Sequence, residues 1–278
     1  MIFGVDVSQH QLTWDELLAR TQFAEDAGFE SAWVFDHFTP LYGDPGGPCL
    51  EAYTALAALA ALTSRIRLGA LVTGVTYRHP SLLAAEVAAV DQISGGRVNL
   101  GIGAAWHAPE HERLGMDFPP AKERAGRLEE AIQVVTLLWT EDDADFDGRY
   151  YHLRGGYLNP KPLQRPRPPV WVGAGGERLT LPIVGRRADV WHWFGATPEL
   201  VRKWEIVRRA AEEAGRDPGL ILRSTNLSLS EPWDQVRRRV DELASAGVSH
   251  VIASWPAEGR ARIEEFAADV LPALSGGA

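Results

Sequence analysis

The stretch SAWVFDHFTP, residues 31 to 40, ends an apolar, strand-like run in Asp36-His37. A carboxylate beside an imidazole suits general acid–base work, metal ligation, or only the polar rim of a loop. Other histidines that could join them are His79, His107, His111 and His192. A metal site is not expected. The first strand ends in Val5-Asp6-Val7 rather than His-x-His, no HExxH occurs, and Pro109 lies between His107 and His111. GAGGER, residues 173 to 178, precedes a helix and would offer unpaired N–H groups to a phosphate, unless it is only a tight turn. LGALVTGVTYRHP, residues 68 to 80, has no acid–base side chain before its last residues. If it acts, it acts through backbone shape, a bulge or a non-proline cis bond behind a ring.

The elements that must position these residues alternate. Strands are expected at 2–7, 31–35, 66–73, 98–103, 170–172, 189–194, 221–227 and 250–253, each followed by an amphipathic helical run. Thr13-x-x-Glu16 is a capping box, Gly28 follows a helix end, and His79-Pro80 opens another helix. The helix after strand 4 is placed at 121–139, beyond a longer loop. That after strand 5 spans 178–186 and is interrupted by Pro182, and the last spans 258–274. Residues 141–169 break the rhythm as a short hairpin and a Pro-rich connection. Eight strand–helix units predict an α/β chain, a single-domain (β/α)8 TIM barrel over residues 1–278 with an insertion around 141–169. A doubly wound sheet is the alternative, but GVDVSQ after strand 1 lacks the dinucleotide-binding glycines.

Composition narrows the function. A net charge of −9 gives no overall electrostatic footprint for nucleic acid. Cys49 is alone, which excludes an intramolecular disulfide and suits a reducing, cytoplasmic setting. No basic leader precedes the first strand and the apolar run 52–62 is too short for a bilayer, so neither signal peptide nor membrane partner is expected.

In such a barrel the active site lies at the C-terminal strand ends. These deliver Asp6 and Gln9; Asp36 and His37; Thr73 and Tyr77 to His79; Gly103 to His107; Gly173 to Gly176; Trp191 to Trp193; Asn226; and Trp255. The mouth is aromatic, small-residued and sparsely ionisable. It favours a broad planar ligand, with Gly103, Ala104 and Ala105 letting a ring approach the backbone.

At these residues the chain resembles the bacterial luciferase-like flavin and deazaflavin oxidoreductases, in the branch assigned to coenzyme F420. AEDAGFESAWVFDHF, LGALVTGVTYRHPSLLAAEVAAVDQISGGRVNLGIGAAWH, FDGRYYHL and PPVWVGAGGERLTLPIVGRRADVW carry the likeness over nearly the whole chain. The resemblance implies F420, with FMN as the alternative cofactor, because both phosphate-bearing ring systems need the same cradle. It implies that Asp36 and His37 approach the ring or substrate, with His37 as proton donor or stabiliser of charge. Leu71-Val72 would buttress the ring, Thr73, Ala104 and Ala105 would line its pyrimidine side, and Gly175, Gly176, Glu177 and Arg178 would hold the phosphate. In the sugar-phosphate dehydrogenase branch a Glu follows the small residues after strand 4, where this chain has Trp106. The expected reaction is therefore hydride transfer with an apolar or aromatic small molecule, with Trp106 beside the cofactor and Trp106, Trp191 and Trp193 as substrate walls. A monooxygenase and a non-catalytic flavin-type binding protein are the competing readings. By analogy the chain is expected to form a homodimer.

Overall fold

Parallel strands and helices alternate along the chain, as seen in a computed structural model that describes residues 1–275. In chain order they are β1 (Ile2–Asp6), α1 (Trp14–Asp26), β2 (Ser31–Val34), α2 (Ala52–Leu62), β3 (Arg67–Ala70), β4 (Thr73–Gly74), α3 (Pro80–Ser94), β5 (Val98–Gly103), α4 (Ala108–Leu114) and α5 (Ala121–Thr140). There follow β6 (Ala144–Asp147), β7 (His152–Gly156), β8 (Val170–Gly173), α6 (Leu181–Arg187), β9 (Val190–Trp193), α7 (Thr197–Glu213), β10 (Leu222–Leu227), α8 (Trp233–Ser245), β11 (His250–Ser254) and α9 (Arg260–Glu265). A π-helical stretch, Phe266–Val270, joins α9 to α10 (Leu271–Ser275), so the expected last helix is broken.

The barrel closes. β11 pairs with β1, and β3 pairs with β5, so the ring runs β1, β2, β3, β5, β8, β9, β10, β11 and back to β1, every pairing parallel. The third strand is not continuous. A cis peptide at Leu71-Val72 interrupts it, and β4 resumes the ladder on β5. The insertion forms the antiparallel hairpin β6–β7. Its continuation is tied down by the buried carboxylate of Asp91, which accepts from the N–H groups of Leu163 and Gln164.

Local sequence explains the helix ends. Thr13 caps α1 by accepting from the Glu16 N–H, Glu51 caps α2 by accepting from Tyr53 and Thr54, and His79 caps α3 through Nδ1. Two proline readings are corrected. Pro182 does not interrupt a helix; α6 begins at Leu181 and Pro182 sits in its first turn. Pro109 likewise opens α4, a helix absent from the sequence reading. A first-turn proline removes an N–H that has no helical partner anyway.

Between the barrel and its helices lies the large core. Inside the ring, Trp33, Trp171, Val190 and Ile252 pack together with Leu71. They come from strands around the ring, which can meet only in its interior. Neighbouring glycines make that packing possible. A Cβ on Gly69 would lie 2.6 Å from the Trp33 ring, and one on Gly103 or Gly173 would crowd Val72. Gly101 is the tightest of this group, its hypothetical Cβ standing 2.0 Å from the Ala70 carbonyl oxygen. Among the described residues, no helix is long and apolar enough to cross a membrane.

Gly101→Ala therefore forces backbone against backbone beside the strand break. The expected loss is about 2–3 kcal/mol, read as a melting point lower by roughly 5–10 °C. An unchanged melt would mean that β3 and β5 are not held this closely.

Candidate active site

A cavity of about 1170 Å³ opens at the C-terminal ends of the barrel strands. Its wall includes Asp6, Phe35 and His37, the Leu71-Val72 break, Gly103 to Trp106, Gly173 to Gly175, His192 to Phe194, Asn226 and Trp255. Most of these are the strand-end residues predicted to face a ligand.

His37 is buried in this wall and held from one side. Its Nδ1 lies 2.9 Å from Glu110 Oε2 and 3.1 Å from the Tyr77 hydroxyl. The Tyr77 hydroxyl donates to the same Glu110 oxygen at 2.5 Å. The other oxygen, Oε1, accepts from the N–H groups of Phe38 and Thr39 and from the Thr39 hydroxyl, at 2.8 to 3.1 Å. Burial alone would raise the Glu110 pKa. Hydrogen bonds from His37 and Tyr77, the His37 charge and the Phe38 N–H outweigh it and bring it down to about 2. An ionised Glu110 fixes the proton of the neutral imidazole on Nδ1. Nε2 has no protein partner among the described residues and is the nitrogen left for a ligand. Phe35 and Trp106 ring the imidazole at 5.2 and 5.9 Å between centroids. Gln9 fixes the approach to it, exchanging hydrogen bonds in both directions with the Phe35 backbone.

Asp36 does not share this cavity. Adjacent residues at a strand end point to opposite sides, and Asp36 is fully buried behind the wall, paired with Arg78. Arg78 also reaches Glu51 at 2.9 Å and Glu86 at 3.2 Å. Burial raises the Asp36 pKa against the pull of Arg78. Burial likewise lifts Glu86 to about 7, again against Arg78. Thr73, expected beside a ring, is also buried, its hydroxyl 2.8 Å from that of Tyr53. Both residues support the wall from behind.

The small residues divide by role. Gly103 makes room for Val72, whereas Ala104 and Ala105 line the cavity, Ala105 with φ of 59°. In the GAGGER turn, Gly175 makes room for Trp193, whose ring would be 2.0 Å from a Cβ there. The Gly176 N–H is taken by the Thr180 hydroxyl. The N–H groups of Gly175, Glu177, Arg178 and Leu179 have no partner among the described residues. Glu177 pairs with Arg202 and Lys203, and Arg178 lies on a separate shallow depression rather than on the main cavity. Lys203 is buried and tethers the turn through the Gly175 carbonyl at 2.7 Å. Of the three expected tryptophan walls, Trp106 and Trp193 line the cavity. Trp191 does not; it is fully buried, donating to the Ala174 carbonyl.

Glu110, Tyr77 and Lys203 were not singled out as functional in the sequence. For Glu110 a signal existed. Pro109 at a first turn places Glu110 and His111 on the buried face of α4. His111 is consumed structurally, bonding the Thr76 hydroxyl and the His107 carbonyl. Among the described residues no group of three or more His, Cys, Asp or Glu could hold a metal ion.

Comparison with known proteins agrees with this layout. The family described as luciferase-like monooxygenase matches residues 2–262. The F420-dependent glucose-6-phosphate dehydrogenase of Microbacterium testaceum is 35% identical over 200 residues, covering 71% of this chain and 58% of that protein. The match thus spans a little over half the length of that relative. Among solved structures, an F420-dependent secondary alcohol dehydrogenase bound to an F420–acetone adduct superposes with a TM-score of 0.86 at 20% identity, covering 98% of both chains. The F420-dependent tetrahydromethanopterin reductase of Methanopyrus kandleri gives 0.85 at 19%, covering 98% of this chain and 99% of that one. At these identities the structural likeness shows the barrel fold.

The Glu110 carboxylate makes a pH-dependent contribution to stability. Its pKa is depressed from 4.5 to about 2, so the contribution is full above about 4.5 and is lost as pH falls towards 2. Glu110→Gln should lower stability at pH 7 by roughly 2–4 kcal/mol. In urea titrations across this range, the gap between wild type and variant should close as pH falls from 4.5 to 2. A gap independent of pH would show that Glu110 is not held ionised.

Proposed function

Because the chain belongs to the luciferase-like monooxygenase family, we propose that it is an oxidoreductase that transfers a hydride between coenzyme F420 and an uncharged, largely apolar or aromatic organic substrate. The observation that carries this reading is His37, with Nδ1 committed to Glu110 and Nε2 left for an aromatic, weakly charged cavity. The relative and the two structural neighbours named above, all described as F420-dependent, support the cofactor.

The residues fit such a group. The cavity is large enough for a fused ring system with a second small ligand beside it. Leu71, Val72, Ala104, Ala105 and Trp106 would flank the ring. The unpaired N–H groups of the turn containing Gly175, Gly176, Glu177 and Arg178 would receive the phosphate of the tail. When bound, the deazaflavin supplies or accepts the hydride.

The protein's part is proton handling and exclusion of water. His37 Nε2 takes or gives the proton on the substrate heteroatom. Glu110 keeps the proton on Nδ1 and steadies the imidazolium without itself becoming protonated, since its pKa lies far below neutrality. Thr39, Phe38 and Tyr77 hold the carboxylate in place. Trp106 and Trp193 cover the chamber.

A sugar phosphate is disfavoured. Arg20 is the one arginine or lysine on the cavity wall among the described residues, and it is engaged by Glu16 and by the Trp255 ring. The carboxylate missing at position 106 does reappear at Glu110, but buried and fully bonded to protein. The family description favours a second reading, an FMN-dependent monooxygenase on the same scaffold.

Purified protein should quench F420 fluorescence on titration and bind FMN more weakly. Tight FMN binding with no response to F420 would overturn the cofactor assignment. With the cofactor that binds, a screen of cyclic ketones, enones and alcohols should give turnover. His37→Ala should lower that turnover by about 10²–10⁴-fold, with F420 affinity retained. Unchanged turnover would remove His37 from the mechanism.

A further inference from the structure

On the side of the barrel facing His37, two buried polar atoms have nothing to bond. In the eight-strand ring β9 stands opposite β2. β9 presents His192, and its neighbour β10 presents Ser224 and Asn226 on the same inward face. His192 is 0% exposed, and its Nδ1 is fixed by the Ser224 hydroxyl at 3.0 Å. His192 Nε2 and Asn226 Oδ1 are both buried without a hydrogen-bond partner among the described residues. Both residues line the cavity. Buried polar atoms are nearly always paired in folded proteins, and an orphan pair on a cavity wall points to a ligand that completes it.

The chemistry of the pair limits the ligand. Burial holds His192 neutral, with its pKa lowered to about 4 against a partial compensation from Asn226. The subsite therefore carries no positive charge at neutral pH, and Asp6 lies on the same wall. An anionic group is not welcome there. A carbonyl could satisfy a donor at Nε2 but leaves the Asn226 oxygen unpaired. A hydroxyl donates to Asn226 Oδ1 and accepts from Nε2–H, so one group answers both atoms.

We propose that His192 and Asn226 form a specificity subsite for an uncharged hydroxyl group of the organic ligand, opposite the proton-handling face of His37. Only the naming of that ligand as the substrate rests on the hydride-transfer reading. No part of the proton chemistry passes through the pair, which selects and orients.

The test uses phenol and toluene, which differ by a hydroxyl in place of a methyl, with full-length protein and ligand-observed NMR titration. Wild type should bind phenol at least about tenfold more tightly than toluene, because a site built to pair a hydroxyl rejects the analogue lacking it. Asn226→Leu and His192→Phe should each reduce that preference to within about twofold while leaving F420 affinity within about twofold. Circular dichroism and a cooperative melt establish that each variant folds, and His192→Gln replaces His192→Phe if it does not. No phenol preference in wild type, or a preference retained in both variants, overturns the proposal. So does a parallel loss of about tenfold or more in F420 affinity, which would give the subsite to the cofactor. If wild type ignores F420 while the phenol preference and its loss persist, the hydride-transfer reading fails and the subsite stands.

Discussion

The site depends on a buried carboxylate. Glu110 has no exposed surface, and an ionised group in that position is tolerated only when every lone pair is occupied. Two backbone N–H groups, one threonine hydroxyl, one phenol and one imidazole meet that demand. These partners come from the segment after β2 and from the loop after β4, while the carboxylate comes from α4. Satisfying the charge therefore fixes three loops against one another. The orientation of His37 is a consequence: the nitrogen bonded to Glu110 cannot also serve a ligand. The short helix α4 exists to carry this residue and His111 inward.

A second buried charge lies behind the first. Arg78 meets Asp36, Glu51 and Glu86, and also sits over the Tyr53 ring at 4.8 Å. One cation among three carboxylates leaves an excess of negative charge, and the elevation of Glu86 to about 7 shows where a proton relieves it near neutrality. Tyr77 and Arg78 are consecutive, yet one joins the Glu110 cluster and the other the Asp36 cluster. The loop after β4 is thus gripped from both sides. Asp36 acts as an anchor for that loop, and its distance from the cavity follows from being sequence-adjacent to His37 on an extended chain.

The barrel was legible in the sequence because its signals are local. Apolar runs of four to six residues, a Thr or Glu cap before a helix, and a glycine after one can be read in a short window. His37 was legible because it ends such a run. What was not legible requires knowing which neighbour comes close. Gly103 and Gly175 look like space for a ligand, but the space belongs to Val72 and Trp193. Asp36 and His37 look like a pair, but alternation separates them. Pro109 looks like a helix breaker and is a helix starter, a matter of one turn's register. Lys203 lies 28 residues from the carbonyl it holds, so no window contains both.

The same contrast separates the fixed parts of the cavity from its variable ones. Positions held by buried charge or by steric fit, such as His37, Val72 and the Gly175 turn, cannot change alone without leaving an unpaired group or a clash. The rim is built differently. Trp106 is 66% exposed and Phe194 56% exposed, and each touches the interior through ring contacts rather than hydrogen bonds. Aromatic contacts of this kind are individually modest and tolerate substitution better than a buried ion does. A fold arranged in this way can keep its proton-handling face constant while the rim is altered to admit different molecules. That accounts for how a chain can share a barrel with sugar-phosphate and alcohol dehydrogenases while its own rim, with tryptophan in place of a carboxylate at position 106, is shaped for something less polar.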